Sequence, residues 1–165
     1  MIVDCLDRHR GAYVVIGGVA AMLQDIPIPE TLDVDVVPER EARNVKALAA
    51  ALKEMEARLL VPGEPEGVEI PLDERTFRAV STLTFVTRFG PFDVLFEPSG
   101  APAYADLEKR ALVLQRFGVD IAVASIQDLI AMKRTTGREK DAAHLTVLLD
   151  HLKRFPPDAS VDQGS

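Results

Sequence analysis

The sequence predicts a mixed β-sheet flanked by helices, in the α/β (α+β) class, with a short helical part at the C-terminal end. Three observations predict it. Apolar, β-rich runs at residues 12–16 and 31–37 alternate with helix-like stretches. Residues 76–87 and 92–96 form two strand patterns joined by the turn Arg88-Phe89-Gly90-Pro91, which spells an antiparallel hairpin. Segments rich in Ala, Leu, Lys and Glu at 39–59 and 140–152 read as amphipathic helices.

In chain order, residues 2–9 read as a short helix. Ala12 to Ile16 is a strand that meets Gly17-Gly18, and a helix follows from Val19 to about Gln24. The prolines of Asp25-Ile26-Pro27-Ile28-Pro29-Glu30 block regular helix there. The run Thr31-Leu32-Asp33-Val34-Asp35-Val36-Val37 is a strand, ended by Pro38, and a long helix covers Glu39 to about Leu59. Val61 to Asp73 is a loop with a short strand at Val68–Pro71. After the hairpin, Pro98–Pro102 is a loop and Tyr104–Arg110 a short helix. Ala111–Leu114 and Val119–Ala122 are short strands. Ser125, with Asp128 three residues on, marks the start of a helix that runs to about Arg134. Thr135-Thr136-Gly137 interrupts it, and Lys140 to Leu152 is the last helix. Residues 1–155 then form one domain, and 156–165 a disordered tail.

The 165 residues suffice for one hydrophobic core. Hydrophobic residues make up 47% and charged residues 27%, a soluble globular balance. No apolar run reaches the ~20 residues needed to span a bilayer. The first ten residues lack a secretory signal, and the single Cys5 forms no internal disulfide, so the expected location is cytoplasmic. The net charge of −7 argues against a generic nucleic-acid-coating protein but not against a local basic patch. His9, His144 and His151 show no ligand spacing and read as structural or surface residues.

Asp33 and Asp35 carry the clearest chemical signal. On a strand, positions i and i+2 share a face, so Leu32, Val34 and Val36 are expected in the core and both carboxylates on the other side. Like charges so placed are costly unless a cation compensates them. Asp93, amid Phe92, Val94, Leu95 and Phe96, is a third charge in an apolar strand. Three such carboxylates suit two Mg²⁺ ions, which bind a triphosphate, lower the pKa of an attacking hydroxyl and neutralise leaving pyrophosphate. The bland readings are a solvent-facing strand end for the pair and an edge strand for Asp93. A strand running into Gly17-Gly18 and a helix lets backbone N–H groups approach a phosphate, or is merely a tight turn. A dinucleotide fold also competes, but Val19 and Met22 stand where its other glycines belong. A haloacid-dehalogenase-type D-x-D fits poorly behind Pro29-Glu30-Thr31. The basic cluster Lys133, Arg134, Arg138 and Lys140, adjoining Asp141, is either a solvated helical face or a phosphate site aimed by the bend at Thr135-Thr136-Gly137.

Together these features resemble the nucleotidyltransferase superfamily with the polymerase-β-like fold. The carriers are Gly17-Gly18, Asp33-Val34-Asp35 and Asp93. Within it the chain looks most like the AbiEii/MenT group of bacterial toxin nucleotidyltransferases. That likeness rests on Gly17-Gly18-Val19-Ala20, Thr31 to Asp35, and the late run Asp128 to Lys133 through Arg138-Glu139-Lys140-Asp141. The match spans roughly residues 12–150. The resemblance implies Mg²⁺-dependent transfer from an NTP, with Asp33, Asp35 and Asp93 as metal-binding and catalytic residues. Gly17, Gly18, Lys133, Arg138 and Lys140 would hold phosphates, and Asp141 would orient one of the basic side chains. It also implies a tRNA 3′ end as acceptor and a cognate antitoxin or toxin as partner. A fold that kept binding but lost catalysis, or an antitoxin-like enzyme acting on a partner protein, are the alternatives. One departure matters: Pro29 stands where the group usually has Arg.

Overall fold

The computed structural model describes residues 1–29, 31, 33–137 and 139–156, apart from the side chains of residues 139 and 140. The elements run α1 (Ile2–Arg8), β1 (Tyr13–Ile16), α2 (Gly17–Leu23), β2 (Val34–Pro38) and α3 (Ala42–Glu54). They continue with β3 (Arg58–Val61), β4 (Glu64–Val68), α4 (Glu74–Arg78), β5 (Thr82–Thr87) and β6 (Gly90–Leu95). The chain closes with α5 (Tyr104–Arg110), β7 (Leu112–Arg116), β8 (Val119–Val123), α6 (Ile126–Thr136) and α7 (Glu139–Arg154). Among the described residues, eight strands form one mixed sheet in the order β4-β3-β5-β6-β2-β1-β8-β7. β2 runs parallel to β6, and β1 parallel to β8; the other pairs are antiparallel. The expected mixed sheet with flanking helices is what the chain forms.

The core gathers on the central strands. Val14, Val15, Val36 and Val37 are fully buried, so consecutive residues are covered and both faces of the sheet are packed there. Phe85, Phe92 and Val94 extend the core through the expected hairpin, and Leu129 and Leu148 join α6 and α7 to it. Buried Asn44 on α3 ties that helix to the entry of β1. Its Oδ1 accepts from Ala12 N at 2.6 Å, and its Nδ2 donates to Ala12 O and Glu39 O, both at 2.8 Å. Arg8 and His9 at the end of α1 both reach Glu54 of α3, and they hold its carboxyl down at about 2. Among the described residues, no helix is long and apolar enough to cross a membrane.

Several boundaries differ from the sequence expectation. α3 ends at Glu54, not Leu59, because Glu56 turns left-handed at φ 54° and Ala57 N–H closes back on Leu52 O. Arg58 and Leu59 then enter β3. The strand expected at Val68–Pro71 lies earlier, at Glu64–Val68, across a two-residue turn where Gly63 takes φ 88°. Thr76 to Arg78 are helical, since the Asp73 side chain accepts from Thr76 N at 2.8 Å and starts α4. β2 begins at Val34, so Asp33 precedes the strand, and Pro38 is its last residue. Thr135 and Thr136 continue α6, and left-handed Gly137 ends it. Leu32 and the tail 157–165 lie outside the described residues.

Candidate active site

β2 sits between β1 and β6, and this places Asp35 opposite Ile16 on one side and Asp93 on the other. Neighbouring strands lie about 4.8 Å apart and in-register residues project to the same face. The two carboxyls therefore stand side by side, each within reach of the other's charge. Asp35 and Asp93 are half-buried, and Asp93 Oδ1 is shut off from solvent. Asp33, just before the strand, is exposed. Burial pushes the Asp35 carboxyl up to about 7; the negative charges of Asp93 and Asp33 add to the shift, and the Lys133 ammonium opposes it.

Gly17 shapes the space beside Asp35. It opens α2 at φ +69°, and a Cβ there would lie 2.1 Å from Asp35 Oδ2. A Cβ at Gly18 would lie 2.5 Å from Thr31 Cγ2, so the segment leading to Asp33 rests directly on the start of α2. Sequence reading assigned the glycines to phosphate contact and missed this second use. Thr31 itself carried no sequence signal beyond its place two residues before Asp33.

Lys133 comes from α6 with its side chain only 11% exposed. Its Nζ donates to Asp141 Oδ1 at 2.9 Å, and Thr136 Oγ1 donates to Asp141 Oδ2 at 2.8 Å. Asp141 thus orients Lys133 from α7, and Lys133 is near enough to Asp35 to oppose part of its charge penalty. Arg134 is exposed. Arg138 and the Lys140 side chain lie outside the described residues.

Among the described residues, no group of three or more His, Cys, Asp or Glu side chains forms a ready metal cage. The chemistry of the donors nonetheless fits a hard divalent ion. Carboxylate oxygens are what Mg²⁺ takes, and the mutual repulsion of Asp35, Asp93 and Asp33 is what a cation relieves.

Residues 2–149 match the family described as nucleotidyltransferase of unknown function (DUF6036), and the chain belongs to it. No protein of curated function matches the sequence. Solved structures share the fold at low identity. TM1012 of Thermotoga maritima, a protein assigned to the nucleotidyltransferases, is 16% identical with a TM-score of 0.53, over 91% of this chain and 89% of that one. The lincosamide antibiotic adenylyltransferase LnuA, bound to lincomycin, is 14% identical with a TM-score of 0.60, over 90% and 92%. The antibiotic-resistance factor ANT(2'')-Ia is 13% identical with a TM-score of 0.59, over 92% and 80%. The narrower likeness to the AbiEii/MenT toxins finds no counterpart in these matches.

Proposed function

We propose that this chain transfers a nucleoside monophosphate from an NTP to an acceptor hydroxyl with the help of Mg²⁺. The observation that carries the reading is the Asp35–Asp93 pair, held in register on adjacent strands within reach of the Lys133 charge. Asp33, Asp35 and Asp93 would hold two Mg²⁺ ions, which supply positive charge to the triphosphate and acidity to the attacking hydroxyl. Gly17 and Gly18 would hold the triphosphate through backbone N–H groups; lacking a Cβ, they let Asp35 and Thr31 close against the start of α2. Lys133 binds a phosphate as a point charge, kept on aim by Asp141, and Arg138 and Lys140 follow it in the same basic run. The acceptor oxygen bonds to the α-phosphorus, the bond to pyrophosphate breaks, and Asp93 takes the hydroxyl proton.

The acceptor by resemblance is the 3′ end of tRNA, in a toxin held by a cognate antitoxin. The net charge of −7 favours a second reading, a small-molecule hydroxyl, as in the adenylyltransferases that share the fold. Incubation with each α-labelled NTP, with total tRNA or a panel of small polyols and antibiotics, separates the two. Label should move from at least one NTP only with Mg²⁺, and Asp93→Asn should slow it by ~10²–10⁴-fold. Nucleotide binding with no transfer to any acceptor would instead make the chain a binding protein.

A further inference from the structure

We propose that the connection leaving β6, residues 96–110, is a two-point clamp on α6 that sets where Lys133 sits relative to the carboxylates. The inference rests on the reading of Lys133 as a phosphate ligand. The first grip is Gly100. It takes φ +76°, and a Cβ there would lie 2.3 Å from Thr135 Oγ1, 2.7 Å from Thr135 Cβ and 2.9 Å from Ala131 O. Thr135 Oγ1 donates back to Ala131 O at 3.0 Å, so the notch that receives Gly100 is itself fixed. Backbone lies directly on helix at this point, and only glycine permits that approach.

The second grip is Arg110, the last residue of α5. Its Nη2 donates to Asp128 Oδ1 at 2.7 Å and its Nε to Asp128 Oδ2 at 3.2 Å, a bidentate fork. Asp128 is 6% exposed and is also bonded by Ser125, the N-cap of α6, whose Oγ donates to its Oδ2 at 2.8 Å. Lys133 lies between these grips. The same connection begins at the strand that carries Asp93, so the carboxylate and the ammonium are referenced to one piece of chain. Gly100 and Arg110 are positioning residues: they act on the nucleotide only through Lys133.

The test is a double-mutant cycle with a second, nucleotide-free readout. Calorimetry of Mg-NTP binding, with all four NTPs, compares wild type, Gly100→Ala, Lys133→Ala and the double variant. Gly100→Ala should weaken binding about tenfold, since small misplacements of a binding group are costly. The double variant should bind no worse than Lys133→Ala. Losses that multiply, or wild-type affinity in Gly100→Ala, would overturn the clamp. Should Gly100→Ala melt below assay temperature, Arg110→Lys, which keeps the charge and loses the fork, takes its place in the cycle. Separately, acetylation of Lys133 by an active ester is followed by mass spectrometry against exposed Lys46. Either clamp variant should speed Lys133 labelling several-fold at constant Lys46 labelling, and an unchanged ratio would overturn the proposal. Failure of wild type to bind any NTP would reject the nucleotidyltransferase reading while the labelling ratio still decides the clamp.

Discussion

Asp35 occupies a position that penalises its own charge. Burial, then the Asp93 and Asp33 carboxylates, lift its carboxyl to about 7 against an ordinary 3.8. Without metal, the folded state therefore keeps a proton that the unfolded chain releases. Stability from this group is fully present below pH 3.8 and is lost as pH rises to about 7. Asp35→Asn should accordingly stabilise the metal-free protein, with a gain that grows from near zero at pH 4 to about 2 kcal/mol at pH 8 after allowance for solvent screening. Urea unfolding in EDTA reads this directly, and a gain that shrinks toward high pH would contradict it. Asp35 and Asp93 were legible in the sequence because a charge amid Phe, Leu and Val stands out. The place of Asp33 was not. β1 gives way to α2 at Gly17, and Pro91, which carries no N–H, is the next residue along β6. Neither neighbour extends the ladder to Asp33, so the strand starts at Val34, three residues later than its pattern suggests.

Elements were legible where their ends carried the expected residues. Ser125 capped α6 as read, and Gly137 closed it. The hairpin of β5 and β6 followed its alternation, but its turn is only Arg88-Phe89, because Gly90 and Pro91 pair within β6. The largest misreading, the end of α3, falls where a helix ends without glycine. Arg10, Asp25 and Glu56 take φ of 55°, 59° and 54°, and each is followed by a backbone bond closing the helix. A Glu at such a site gives no stop signal, which is why α3 seemed to run on to Leu59. The same residue supplies a prediction. Glu56→Gly should stabilise the fold by about 0.5–1 kcal/mol, because glycine takes the left-handed conformation without a Cβ penalty. Thermal melting measures it, and a lower melting temperature would show that Glu56 holds α3 by other means. α4 was hidden for a different reason: Thr76 and Phe77 favour strand by propensity, and the Asp73 cap outweighs them.

At the scale of the molecule, the site exists because a parallel pairing brings together β2 and β6, with α3, β3, β4, α4 and β5 inserted between them in the chain. No local pattern announces such a pairing. The sequence offered the residues, and resemblance supplied their convergence. Lys133 was legible as part of a charge run, whereas its tether through Asp141 and the grips of Gly100 and Arg110 depend on contacts between distant segments. The central claim is that this assembled pocket takes a nucleotide through a metal. Calorimetric titration of the four NTPs, with and without Mg²⁺, at pH 6 and pH 8, tests it most directly in wild type and Asp35→Ala. At least one NTP should bind only with Mg²⁺, more tightly at pH 8 than at pH 6 because protonated Asp35 cannot ligate, and Asp35→Ala should abolish that binding. Binding of equal strength without Mg²⁺, or in Asp35→Ala, would contradict it.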